Sequence, residues 1–168
     1  MAKKIGFIII SFFILILIQT TIVQYIRINN YLPDFIFIFL IFLSLFYDEI
    51  TSMILAFIIG IIVDTLAFNI VGLSSLFFIM IAYIIGKLKI KFVSENILIQ
   101  ITYTFLGFLF YSIILRMFSE PDIIRILRQE ITDVLITAIY TSLFAPIIIF
   151  LLLKIKKVIF SEIRTYEV

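Results

Sequence analysis

The chain has 168 residues, a formal net charge of +2, and a composition that is 64% hydrophobic and 14% charged. A soluble domain is about 45–50% apolar, and one this small leaves much of its surface in water, so a water-soluble globule is excluded and lipid is the natural solvent. The absence of Cys and His removes thiol catalysis, disulfides and the commonest metal ligands, and the small net charge gives no basis for nucleic-acid binding.

A spanning helix needs about 20 apolar residues. Six segments qualify, at residues 5–26, 33–47, 50–68, 72–86, 97–118 and 131–153. They make up a single polytopic membrane domain over residues 1–168, an all-α integral membrane fold. The second and fourth spans are short, so residues 64 to 73 could instead dip back as a re-entrant loop. The first segment has a basic start but is followed by Q-T-T-I-V-Q-Y-I-R, which lacks a small-residue cleavage site. It is expected to remain as a span.

Orientation follows from the Lys/Arg bias of the loops. With the N-terminus in the cytoplasm, that side receives Lys3, Lys4, Lys87, Lys89, Lys91, Lys154, Lys156, Lys157 and Arg164. The outer side receives Arg27, Arg116, Arg125 and Arg128. Nine against four predicts both termini in the cytoplasm and an even number of spans. In residues 119–130 the apolar Ile123, Ile124, Ile126 and Leu127 recur at helical spacing, with Arg125 and Arg128 interleaved. They fit either an amphipathic helix on the outer membrane surface or a continuation of the sixth span.

In the third span Ser52, Ala56, Gly60 and Asp64 are four apart and share one helix face. Small residues in that register let another helix approach closely. Asp64 lies near the C-terminal end of its helix, where the macrodipole disfavours an anion. An ionisable residue inside a span is a functional-site candidate by default, although Asp64 could simply sit at the membrane surface. Pro33 and Asp34 suit the start of the second helix, and Asp133 that of the sixth. In this topology Arg27, Asp34, Asp64, Arg116 and Asp133 share one membrane face, with Arg116 as an ion-pair partner for Asp64. Gln19, Thr20, Thr21, Gln24, Thr102 and Thr104 are expected to hydrogen-bond across helices. Pro146 is expected to kink the sixth span.

Enzyme constellations are missing. There is no His for a Ser–His pair, every Lys sits at a cytoplasmic edge, and Tyr47–Asp48 has no G-x-G-D partner for an aspartyl protease site. No cofactor is implied. A short fourth span with a break at Gly72 keeps a second reading open, a binding subunit of a transporter.

Residues 33–86 resemble the MreD family of bacterial rod shape-determining proteins. The resemblance rests on P-D-F-I-F-I-F-L (33–40), F-I-I-G-I-I-V-D (57–64), V-G-L-S-S-L (71–76) and A-Y-I-I-G (82–86). Pro33, Asp34, Gly60, Asp64 and Gly72 are the matching positions, and Thr137 and Pro146 match loosely in the later spans. The resemblance implies an inner-membrane scaffold or regulator of the cell-elongation complex, without catalysis. It implies an MreC-like membrane partner, and indirectly MreB, RodA and a penicillin-binding transpeptidase, in lateral peptidoglycan synthesis. It also implies a fold similar to the substrate-binding membrane subunits of vitamin transporters, which supports the alternative of a small-molecule binding subunit.

Overall fold

The computed structural model describes residues 2–21, 23–26, 31–67, 70–88, 96–119 and 131–161. Six α-helices lie among them: α1 (Ala2–Thr21), α2 (Phe35–Phe46), α3 (Glu49–Leu66), α4 (Leu73–Leu88), α5 (Ile97–Ser119) and α6 (Ile131–Ser161). A short 3-10 turn, Val23–Ile26, follows α1. The all-α expectation therefore holds. Of the segment 119–130, read as a surface helix or a continuation of the sixth span, all but Ser119 lies outside the described residues, as do Arg27 and the side chains of Lys3, Lys4 and Gln24.

Local chemistry sets the helix ends. Asp34 starts α2 by accepting from the Phe37 amide at 2.9 Å. Asp48 does the same for α3, accepting from Thr51 N at 3.1 Å, and Asn96 begins α5 by accepting from Leu98 N at 2.9 Å. A side-chain oxygen here satisfies an amide that has no partner within the helix. Only Tyr47 and Asp48 separate α2 from α3. Pro146 sits within α6 without ending it; its missing N–H leaves the Ser142 carbonyl without its usual helical donor.

The centre of the bundle is α2. Ten of its twelve residues are buried, and Phe37 through Leu43 are fully inaccessible. A helix apolar on every side is one surrounded on every side, and α2 packs against all five other helices. Its aromatic rings anchor them: Phe39 stacks on Phe12 of α1 at 5.9 Å, and Phe37 meets Phe78 of α4, Phe108 of α5 and Tyr111 of α5 at 6.0, 5.3 and 5.8 Å. Around this post, α3 pairs most extensively with α4, and α5 with α6. In lipid such packing is driven by van der Waals fit rather than by escape from water. The outward faces carry exposed apolar side chains such as Ile54, Phe57, Leu76, Leu106 and Phe150.

By length and composition α3, α5 and α6 are each able to cross a membrane, while α1, α2 and α4 contribute shorter apolar helices. At 1.5 Å per residue α2 is about 18 Å long, well short of a ~30 Å hydrocarbon core. Its ends therefore need hydrogen-bond partners supplied by the protein.

Candidate functional site

The small-residue face of α3 is turned to α4. Ser52, Ala56, Gly60 and Asp64 are all buried. At Gly60 the two helix backbones touch: a Cβ there would lie 2.3 Å from the Ser75 Cα and 2.5 Å from its N. The Ser75 hydroxyl donates back to the Phe57 carbonyl at 3.0 Å. At the other end of the seam Gly86 lies against Glu49, and Glu49 pairs with Lys87 at 3.3 Å.

Asp64 closes this hairpin. Its side chain is fully buried and accepts from the amide of Gly72 at 2.8 Å and from that of Ser74 at 3.1 and 3.2 Å. Gly72 occupies the capping position of α4 with φ +97°, a backbone conformation natural to glycine. Glycine has no side chain to cap with, so the carboxylate arrives from the preceding helix. The unfavourable field at the end of α3 is answered by the positive end of α4.

This corrects the expected pairing with Arg116. The described contacts of Asp64 are backbone amides, not a guanidinium. Two aligned amides satisfy the carboxylate without bringing a second charge into the bundle.

From Asp64 the polar contacts continue inward. The Ser74 hydroxyl and the Tyr111 phenol lie 2.9 Å apart and share a hydrogen bond. Tyr111 stacks on Phe37, whose amide binds Asp34. Asp34 and Asp64 are thus gathered around one tyrosine of α5.

The start of α2 is held from two sides. Gln19 of α1 donates to the Pro33 carbonyl at 3.1 Å and accepts from the Phe35 amide at 2.9 Å. Thr141 of α6 accepts from the Asp34 amide at 3.1 Å. Thr141 lies ten residues into α6, about 15 Å along its axis, so the start of α2 is deep in the bundle. Nearby, the Tyr31 phenol donates to Asp133 at 2.7 Å and that of Tyr140 to the Ile26 carbonyl at 2.7 Å. The hydrogen bond to the Asp133 carboxylate pushes the Tyr31 phenol up from its ordinary pKa.

The expected membrane-face cluster is therefore divided. Asp34 and Asp64 are joined through Tyr111 and its neighbours, whereas Asp133 pairs with Tyr31. Gln19 is a clamp on backbone rather than on another helix's side chain. The hydroxyls of Thr20, Thr102 and Thr104 bond carbonyls of their own helices, not of neighbours. Tyr111 and Thr141 were not singled out by sequence. Tyr111 is one of 8 tyrosines, and Thr141 follows the Tyr140 phenol without a motif around it. Among the described residues no group of three or more acidic, His or Cys side chains is placed to hold a metal.

A bundle of apolar helices in which the buried Asp64 and the half-buried Asp34 hold backbone amides defines an all-α membrane protein with a structural polar core. The model of the family described as rod shape-determining protein MreD matches residues 2–156, and the chain belongs to that family. It is a rod shape-determining membrane protein. No curated protein and no solved structure matches it. The likeness to vitamin-transporter subunits and the transporter reading therefore gain no support.

Proposed function

We propose that the protein is a non-catalytic scaffold of the cell-elongation complex in the bacterial inner membrane. It crosses the bilayer six times with both termini in the cytoplasm, as one domain. It binds an MreC-like membrane protein and through it reaches MreB, RodA and a penicillin-binding transpeptidase. Family membership over residues 2–156 is the observation that carries this reading. The chemistry of the site supports it, since Asp34 and Asp64 are engaged in starting helices rather than facing a substrate. In this reading Pro33, Asp34, Ser52, Ala56, Gly60, Asp64 and Gly72 fix the bundle's shape, and that shape presents the partner surface.

Co-purification from membranes tests it. An MreC-like protein is expected to be retained by the natural chain, and depletion is expected to round the cells. Normal shape after depletion, together with loss of uptake of one nutrient, would overturn the reading.

A further inference from the structure

The hairpin of α3 and α4 is short for the place it occupies. At the end that the proposed orientation puts in the cytoplasm, Glu49 pairs with Lys87 at 3.3 Å. From Lys87 back to Leu73, where α4 begins, is fifteen residues, about 22 Å of helix, against a hydrocarbon core of about 30 Å. The neighbouring α5 has 23 residues and α6 has 31, about 34 and 46 Å. The contact between α4 and α5 shows where the shortfall lies. Ser74, in the first turn of α4, meets Tyr111 at 2.9 Å. Past that contact α5 continues to Ser119, about 12 Å further outward.

We propose that the tip of this hairpin is a lipid-binding surface. Leu66, Ile70 and Val71 lie among the acyl chains of the outer leaflet, and the leaflet is drawn thin around them. The proposal rests on the reading of both termini as cytoplasmic, which makes this the outer end of the hairpin.

Two further observations agree with the depth. The tip is apolar and open: Leu66, Ile70 and Val71 are 54, 63 and 67% exposed, and residues 65–86 contain no charged side chain. Facing water, such a tip forgoes about 25 cal/mol for each Å² of apolar surface; acyl chains remove that penalty. The polar groups of the tip are also answered from within. The Gly72 and Ser74 amides donate to Asp64. The Leu73 amide donates to the Ile70 carbonyl at 3.1 Å, the Ala67 amide to the Val63 carbonyl at 2.9 Å, and the Thr65 hydroxyl to the Ile61 carbonyl at 2.8 Å. A turn in water finds such partners in the solvent, whereas a turn against hydrocarbon must carry its own. A segment shorter than the bilayer is accommodated by local thinning at modest cost.

The chain has no cysteine, so single thiols can be placed without background. Ala67→Cys and Val71→Cys report on the tip, and Thr132→Cys, exposed in the first turn of α6, reports on the outer water. The full chain is reconstituted in dioleoyl phosphatidylcholine nanodiscs, which leave both faces open. A charged maleimide is expected to modify the tip thiols roughly a hundredfold more slowly than Thr132→Cys, because the reacting thiolate is costly to form in hydrocarbon. Nitroxides on the tip thiols are expected to collide with dissolved oxygen in preference to a water-soluble nickel chelate, and those on Thr132→Cys the reverse. Replacing oleoyl by the longer erucoyl chains should lower the unfolding temperature by a few degrees, and the shorter myristoleoyl chains should not. Tip thiols as reactive as Thr132→Cys would overturn the proposal. So would an unfolding temperature indifferent to chain length, or tip nitroxides shielded from oxygen and nickel alike, the mark of a second copy or another protein covering the tip. The orientation is read separately. A Thr132→Cys chain that resists the charged maleimide added outside intact spheroplasts would refute the cytoplasmic termini, and with them the outer-leaflet position, whatever the nanodiscs show.

Discussion

The Asp64 carboxylate, at the end of α3, caps the helix that follows by accepting the Gly72 amide at 2.8 Å. Capping normally comes from the residue at the helix start. Here that residue is glycine, and its task passes to a side chain eight residues earlier. One contact thereby ties the end of α3 to the start of α4 across the turn.

Asp64→Ala should remove the acceptor from two amides. Each amide left without a partner costs about 1–3 kcal/mol. Asp64→Asn keeps an acceptor oxygen and loses chiefly the charge–dipole attraction, up to about 2 kcal/mol in a partly buried site. Unfolding of the purified protein in detergent should therefore rank natural above Asn above Ala. Arg116→Gln should add to either change independently, within about 0.5 kcal/mol. Strong coupling between the two positions would restore the ion pair in place of the cap.

Gly60→Ala should be among the most damaging single-methyl changes in the chain. The added carbon would meet backbone atoms of Ser75, so the helices must part by roughly 1 Å to reach ordinary contact. Overpacking of this kind costs about 1–3 kcal/mol or more. Ser75→Gly should fail to rescue it, because the clashing Cα and N remain. Recovery of natural stability in the double variant would show that the hydroxyl, not the backbone, sets the approach.

The approach at Gly60 was legible in sequence because spacing by four is a property of one helix, and Ser52, Ala56, Gly60 and Asp64 declare it without knowledge of the partner. Asp34 was legible for the same reason: its role is local, three residues from the amide it binds. The partner of Asp64 was not. Arg116 was the expected one because charge suggests countercharge, but the donors are main-chain amides, which every residue except proline carries and which sequence cannot rank. The backbone partners of Gln19 were hidden in the same way, and Thr141 was missed altogether. Each acts on backbone more than ten positions away, and only the burial of α2 reveals that such partners are needed.

Tyr31 and Asp133 offer a contact of the opposite kind, close to the protein surface. The folded phenol's pKa is raised, so whatever the hydrogen bond contributes is fully present below the unfolded value near 10 and is lost as pH rises through the higher folded one. Between pH 5 and 8 it should give no pH dependence. Tyr31→Phe should change stability at pH 7 by no more than the few tenths of a kcal/mol typical of surface changes. A loss of several kcal/mol in thermal unfolding would mean that this pair, rather than Gln19 and Thr141, anchors the segment leading to α2.

Gln19→Leu should be far more costly than its place near the end of α1 suggests. The amide satisfies the Pro33 carbonyl and the Phe35 N–H together, on either side of the residue that starts α2. Leucine preserves bulk but leaves both groups unpaired inside the bundle, at about 1–3 kcal/mol each. Gln19→Glu keeps the acceptor for Phe35 but, when ionised, loses the donor to Pro33 and buries a charge; protonated, its O–H can donate to Pro33, so at low pH it should fall between the natural residue and leucine. The effect should be local in origin and global in reach, because α2 is the post on which the other five helices pack. Amide hydrogen exchange should show faster opening of residues 35–38 in Gln19→Leu. Unchanged exchange at Phe35 would mean that Thr141 and Asp34 hold the start of the helix without the glutamine.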